Sequence, residues 1–331
     1  MQWDAKIFRV KDRDFESLAL EVFRFQYAEN QVYRAYCDAL GVQETAVQRL
    51  TEIPFLPVRF FKTHRVVTTV FEPEAVFESS GTTGMQTSRH YVRELSLYEK
   101  SFMRCFEMFY GPVKHFTIFS LLPSYLERSG SSLVYMAEKL MQESGQAHSK
   151  FYLRNTAEMR GWLLLREKLL DQPGNEHEKN LLLGVTFALL DCCEQERMQL
   201  KHTIVMETGG MKGRREEMIR EELHRRLKDG FGVKEIHSEY GMTELLSQAY
   251  SKGEGIFRCP PWMKVIVRDD EDPLTIRREG AGIINVIDLA NIYSCAFIAT
   301  DDAGRLAADG SFSVLGRVDG SDMRGCSLLT A

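Results

Sequence analysis

No stretch of this 331-residue chain is apolar for long enough to span a bilayer; LLLGVTFALL, residues 181–190, is only ten residues. The N-terminal MQWDAKIFRV lacks the apolar run of a secretory signal. No CxxC pair exists among the seven cysteines, Cys37, Cys105, Cys192, Cys193, Cys259, Cys295 and Cys326. Scattered and odd in number, they indicate neither a zinc site nor a disulfide framework. These absences read as a reduced, cytoplasmic protein without a membrane span. An excess of positive charge is missing too. The net charge of −5 argues against a nucleic-acid partner, whose phosphates favour a basic surface. The Arg-rich stretch 213–228 is balanced by Glu and spaces Ile219, Leu223 and Leu227 four apart, as in a solvated amphipathic helix. Internal repeats, low-complexity tracts and flexible linkers are also lacking.

What is present alternates. Phe15, Leu18, Ala19, Val22 and Phe23 follow the i, i+3, i+4, i+7, i+8 spacing of one buried helix face, within a helical entry over residues 1–45. IPFLPVRFFKTH (53–64) carries Pro54 and Pro57, which predict an extended connection. A helix with apolar Tyr98, Phe102, Cys105, Phe106 and Phe109 precedes the strand HFTIFSLL, a loop and a helix over 132–143. LLLGVTFALL then reads as a strand, 188–199 as a helix and HTIVMET as a strand ending at Gly209-Gly210. The Arg/Glu-rich helix leads to the short strand KEIHSEY. Strand, glycine turn and helix in repetition predict an α/β region over 46–255 with a largely parallel sheet. From 256 to 320 the texture is β-rich, with MKVIVRD, GIINVID, CAFIATD and FSVLGRVD separated by Gly/Asp turns. The economical reading is one large domain, 1–320, followed by a tail, 321–331.

Ser79-Ser80-Gly81-Thr82-Thr83-Gly84 packs four hydroxyls and two glycines into six residues. Glycine allows backbone N–H groups to converge on an anion, and hydroxyls add donors, which suits the phosphates of a nucleotide. It is not a P-loop, because Gln86 and Thr87 stand where that motif requires Lys and Ser/Thr. On composition alone a hydroxyl-rich turn between strand and helix also accounts for it.

Four further segments follow in a fixed order, and with them the chain resembles the adenylate-forming enzymes: acyl-CoA synthetases, luciferases and peptide-synthetase adenylation domains. SSGTTG is similar to their phosphate-binding loop, and Gly209-Gly210 to their adenine-side glycine pair. Tyr240-Gly241-Met242-Thr243-Glu244 matches YGxTE. Thr300-Asp301-Asp302 resembles TGD with the glycine lost. Gly316-Arg317-Val318-Asp319 with Met323-Arg324-Gly325 resembles the hinge motif GRxD…RG. IPFLPVRFFK (53–62), SSGTTGMQTSRH (79–90), LLPSYLERSGSSLVYMA (121–137), ETGGMKGRR (207–215) and RGCSLL (324–329) resemble more specifically the LuxE-type acyl-protein synthetases.

The resemblance implies the superfamily's large N-terminal α/β domain, with layered sheets flanked by helices, a β-rich C-terminal part and no small mobile C-terminal domain. It implies ATP- and Mg²⁺-dependent conversion of a carboxylic acid, in the LuxE type a fatty acid, to acyl-AMP. Glu244 would bind Mg²⁺ and Thr243 the α-phosphate. Ser79, Ser80, Gly81, Thr82, Thr83 and Gly84 would hold the phosphates, and Gly209, Gly210, Tyr240 and Gly241 the adenine side. Asp301 would accept from the ribose and Arg317 would reach ribose or phosphate oxygens. Plainer roles stay open: Glu244 at a helix N-terminus, Tyr240 in the core, Asp301 in a turn. Two departures stand out. Where many members carry a lysine after the phosphate loop, Ser88-Arg89-His90 follows; Arg89 could supply the charge, and His90 equally a structural hydrogen bond. The catalytic lysine of the small domain has no counterpart, unless Lys212 or another chain replaces it.

The family carries the acyl group on a cysteine near the C-terminus, and the resemblance implies that role for Cys326. It stands close to Arg317 and Arg324 in sequence, where a cationic neighbour lowers a thiol pKa. The plainer alternative is that Cys326 ends a truncated hinge strand. The expectation is capture of the acyl group on Cys326 and transfer to an acyl-accepting protein. Alternatives are a free-standing ligase that loads coenzyme A or a carrier protein, and a degenerate nucleotide- or acyl-binding subunit. A homo-oligomer or a complex stays open. Apolar residues around 121–132 would line an acyl pocket or belong to the core.

Overall fold

A computed structural model describes residues 2–79, 86–123, 130–209, 218–272 and 274–318. In chain order the helices are α1 (Gln2–Ile7), α2 (Phe15–Glu29), α3 (Gln31–Ala39), α4 (Phe60–Thr63), α5 (Leu95–Tyr110), α6 (Ser132–Ser144), α7 (Thr156–Leu170), α8 (Thr186–Gln195) and α9 (Arg220–Phe231). The first eight strands are β1 (Leu56–Pro57), β2 (Ala75–Glu78), β3 (Arg89–Val92), β4 (Phe116–Leu121), β5 (Lys150–Phe151), β6 (Lys179–Val185), β7 (Thr203–Thr208) and β8 (His237–Tyr240). Then come β9 (Ala249–Ser251), β10 (Ile256–Arg258), β11 (Met263–Arg268), β12 (Ile276–Arg277), β13 (Gly280–Asp288), β14 (Phe297–Leu306) and β15 (Phe312–Arg317). The chain forms two compact units: Met1–Ser101 with Met242–Gln248 and Arg258–Ala331, and Phe102–Gly241 with Ala249–Phe257. The fold is mixed α/β.

In the first unit β12-β11-β13-β14-β15 form an antiparallel run, and β1 adds in parallel to β14. A separate hairpin pairs β2 with β3. The predicted stripe Phe15, Leu18, Ala19, Val22 and Phe23 is buried on α2. Phe23 and Phe55 meet Phe297 edge-on, and Tyr33 stacks on it at 6.1 Å; each such ring stabilises by about 1.5–3 kcal/mol on burial. The Asn30 side chain accepts from Tyr33 N–H, capping α3, while its amide donates to Thr68 Oγ1 and the Ser294 carbonyl. Buried Gln26 donates from Nε2 to the carbonyls of Asn291 and Ile292 and accepts from Ala296 N–H. These amides tie the entry helices to the connection between β13 and β14.

In the second unit β4 to β8 are parallel, in the order β5-β4-β6-β7-β8, with β9 antiparallel beyond β8 and β10 next to it. Strand β4 is buried throughout, and so is β6 after its first residue, as strands covered on both faces must be. Phe106, Phe116, Tyr110 and Tyr250 cluster edge-on between α5 and the sheet.

Three expectations need correction. LLLGVTFALL is not one strand: β6 stops at Val185 and α8 starts at Thr186. An all-apolar run shows neither a two-residue nor a 3.6-residue period, so the boundary is invisible. Ile219 does not join Leu223 and Leu227 on a buried face; it precedes α9 as its N-cap residue and is 71% exposed. The connection 53–64 is extended only at Leu56–Pro57, because Phe60–Thr63, clear of Pro57, form the single turn α4.

Candidate active site

In the first unit the strands of the β2–β3 hairpin flank the hydroxyl-rich segment in the chain. Ser79 N–H donates to the Ser88 carbonyl at 3.1 Å, and Ser88 N–H donates to Ser79 Oγ at 2.9 Å. Ser79 and Ser88 thus pair beyond the last strand positions of the hairpin. Ser80, Gly81, Thr82, Thr83 and Gly84 lie outside the described residues. Arg89 faces Glu78 across the hairpin at 3.1 Å, with more than half of its side chain exposed.

His90, one strand position on, is buried. Its Nδ1 lies 2.8 Å from the Thr243 carbonyl, its Nε2 lies 2.9 Å from Asn291 Oδ1, and burial pushes its pKa down to about 4. The reading of His90 as a structural hydrogen-bonder fits this placement.

Thr243 is half-buried, and its hydroxyl bonds no protein group among the described residues. Glu244 is 5% exposed. Burial raises its pKa against the lowering influences of a Ser88 hydrogen bond and of the Arg317 and Lys62 charges. It forms no ion pair among the described residues. Lys62 comes from α4, in the IPFLPVRFFK stretch, and nothing in the residue pattern had singled it out.

The segment bearing Thr243 and Glu244 is neither helix nor strand. A side chain at each side serves its backbone. Asn291 Nδ2 donates to the Glu244 carbonyl at 2.7 Å. Asp288 Oδ2 accepts from Leu246 N–H at 2.7 Å and Ser247 N–H at 3.0 Å, and its Oδ1 accepts from Ser247 Oγ at 2.6 Å. Burial still raises the Asp288 pKa to about 6 despite these donors.

On β14, Asp301 reaches outward to Arg59 at 3.4 Å and is 42% exposed at its side chain. Asp302 is nine-tenths buried and sits 3.5 Å from Arg317, its register partner on β15. Arg317 is therefore brought to Asp302 rather than to Asp301. The signal was available, since the third position of the Thr-Asp-Asp triplet is where TGD places its carboxylate.

In the second unit Gly209 ends β7 with φ of 66°, a left-handed conformation that glycine adopts without strain. Its carbonyl accepts from Thr186 Oγ1. Tyr240 is buried at the end of β8, edge-on to Phe257 at 5.9 Å, while Gly241 is exposed. Beside them lies a pair of buried carboxylates to which the sequence motifs assign no role. Thr208 Oγ1 donates to Glu239, whose pKa burial raises to about 7. Glu207 meets Arg220 at 3.1 Å; burial raises its pKa, but His224 and Arg220 outweigh that and hold it below the ordinary value. Gly210, Lys212, Asp319, Arg324 and Cys326 lie outside the described residues. Of the other cysteines only Cys259 is partly exposed, and no cluster of three metal-ligating side chains exists among the described residues. No helix among them is long and apolar enough to cross a membrane.

Comparison with known proteins adds the relatives. Residues 8–331 match the family described as acyl-protein synthetase, LuxE. The long-chain-fatty-acid–luciferin-component ligase of Photorhabdus luminescens is 37% identical over 73 residues, which are 22% of this chain and 62% of that protein. The chain thus matches less than two thirds of that relative's length. Among solved structures, an open conformation of 2-hydroxyisobutyryl-CoA ligase in complex with 2-HIB-AMP and CoA aligns with a TM-score of 0.66. The identity is 13%, covering 93% of this chain and 75% of that one. ATP-bound MatB from Rhodopseudomonas palustris aligns with a TM-score of 0.52 at 16% identity, covering 73% and 48%. At such identities the likeness is one of fold.

Proposed function

The chain belongs to the LuxE family of acyl-protein synthetases, and from that membership we propose that it activates a carboxylic acid with ATP and hands the acyl group to a thiol. The observation that carries the reading is Glu244, a carboxylate buried without an ion-pair partner among the described residues, next to the free hydroxyl of Thr243 and near the charges of Lys62 and Arg317. Burying a carboxylate without its own cation is costly, and a bound divalent ion would offset that cost. Mg²⁺ prefers one or two carboxylates completed by phosphate oxygens and water over an all-protein cage. Glu244 fits that demand.

In the first half-reaction a carboxylate oxygen of the substrate forms a bond to the α-phosphorus of ATP. The bond from that phosphorus to the bridging oxygen breaks, and pyrophosphate leaves with the electron pair. Thr243 orients the α-phosphate through its hydroxyl, and Arg317 spreads charge over ribose or phosphate oxygens. Mg²⁺, when held by Glu244, neutralises charge on the phosphates. Gly209 and Tyr240 are assigned to the adenine side. Asp301 was the expected ribose acceptor; the pairing of Asp302 with Arg317 favours Asp302 for that role. In the second half-reaction a thiolate attacks the acyl carbon and AMP departs, and Cys326 is assigned as that thiol. In this reading residues 1–320 act as the large domain and 321–331 as a hinge-like tail, and a fatty acid is the substrate.

The test is acid-dependent exchange of labelled pyrophosphate into ATP, run across carboxylic acids of increasing chain length. Activity that vanishes in Glu244→Ala is expected; a parent protein that exchanges with no acid refutes the reading and leaves a binding subunit. Mass spectrometry of the intact protein after incubation with ATP, Mg²⁺ and fatty acid then assigns the thiol. Acyl label lost in Cys326→Ser supports transfer through Cys326. Label retained there moves the acceptor elsewhere, and transfer undiminished by the substitution points to coenzyme A or a carrier protein.

A further inference from the structure

The segment Met242–Gln248 poses a backbone problem. It lies among buried residues, yet it belongs to no helix or strand that would pair its carbonyl and N–H groups. One internal bond is present, from Leu245 N–H to the Met242 carbonyl. The remaining partners come largely from the 3-10 turn Leu289–Asn291 and the Asp288 that caps it. Asp288 accepts from the N–H groups of Leu246 and Ser247, and Asn291 donates to the Glu244 carbonyl at 2.7 Å. With the Thr243 carbonyl held by His90 on the preceding side, the backbone on both sides of Glu244 is held, which fixes the point from which its carboxylate projects. Its own side chain is held only by Ser88 and by the N–H of its own backbone among the described residues.

The orientation of Asn291 is itself determined. Its amide nitrogen faces two carbonyls, of Glu244 at 2.7 Å and Cys295 at 2.9 Å, so that atom is the donor and Oδ1 is left toward His90. The Asn291 carbonyl in turn accepts from Gln26 on α2 at 3.1 Å. Asn291 is 1% exposed, Asp288 and Gln26 0%. A rigid, dry support of this kind is what a metal-binding carboxylate needs in order to keep its aim.

We infer that Asn291 is a positioning residue for Glu244, holding the peptide that aims the Glu244 carboxylate at the metal–phosphate group; this rests on the function proposed above. Asn291 touches neither ATP nor metal in this assignment. Its effect is confined to the arrangement of Glu244, so it governs the Mg²⁺-dependent part of nucleotide binding and the turnover number while leaving the acid's KM in place.

The experiment uses the full chain and measures ATP binding by calorimetry with and without Mg²⁺, together with pyrophosphate exchange per folded molecule and thermal melting. For Asn291→Ala the expected result is Mg²⁺-free ATP affinity within about twofold of the parent and roughly tenfold loss of the enhancement that Mg²⁺ brings. Exchange kcat falls by roughly 10–100-fold with the acid's KM unchanged. A lowered melting temperature with Mg²⁺-dependent binding and kcat retained would overturn the inference, for Asn291 would then serve stability alone. If Asn291→Ala does not fold, Asn291→Ser, which keeps one hydroxyl donor, is read in the same way. Absence of Mg²⁺-dependent ATP binding in the parent protein refutes the proposed function itself, and the inference with it.

Discussion

Gly282 shows how little room a single position can leave. It lies in β13, and a Cβ built on it collides with the Arg268 carbonyl oxygen of β11, with Val267 Cβ at 3.2 Å as well. A backbone oxygen held in a sheet cannot turn aside as a flexible side chain could. Gly282→Ala is expected to cost roughly 2 kcal/mol or more, read as a fall in the midpoint of urea unfolding. Gly280→Ala, two residues earlier, meets nothing within 4 Å but has φ of 97°, so its cost is backbone strain rather than collision. From the sequence both are glycines of GAGIINVID, and only the paired strand tells them apart. The site residues divide in the same way. Glu244 and Thr243 are legible because they stand inside a motif. Asn291 and Asp288 are not, since their partners in the Glu244 segment lie more than forty residues away in the chain and an Asp-Leu-Ala-Asn run looks like any turn.

Among the elements, α2 was readable because a half-buried helix repeats its apolar face, whereas β6 merged with α8 because the first turn of α8, through Leu190, is nearly as buried as the strand. Strand β8 carries a consequence in pH. His237, at its start, is pushed by burial and the Lys252 charge down to about 4, while Glu239 is raised by burial to about 7. A histidine with a depressed pKa favours the folded state above its ordinary value of 6.5, and that stability drains as pH falls toward 4. A carboxylate with a raised pKa acts in the opposite sense. Its contribution is full below the ordinary value of 4.5 and drains as pH rises through 7. The two therefore oppose each other across the acid range. Glu239→Gln removes one side of this balance. Relative to that variant, the parent should lose on the order of 3 kcal/mol between pH 4.5 and pH 7. Urea midpoints taken across the range check this, and a constant difference between the two proteins would contradict it.

At the scale of the whole molecule, the first unit is discontinuous in the chain, with Phe102–Gly241 of the second unit falling between its parts. Strands β4, β6 and β7 find partners within the second unit's own stretch. Helix α2 finds its partners far later, as Gln26 bonds residues 265 and 266 positions downstream. Contacts of long sequence separation form late because the intervening loop must first close. In pulse-labelled hydrogen exchange during refolding, the Ala296 N–H, which donates to Gln26 at 2.9 Å, should gain protection after those of β6. Simultaneous protection would show the two units folding as one.

The same long tie sets a problem for biosynthesis. When α2 leaves the ribosome, the turn that Gln26 must clasp has not been translated. At 5–20 residues per second that wait is on the order of tens of seconds. Throughout it, Phe23 can meet Tyr33 but not Phe297, and the α2 face is only partly covered. The nascent N-terminus is thus a client for whatever chaperone meets it first.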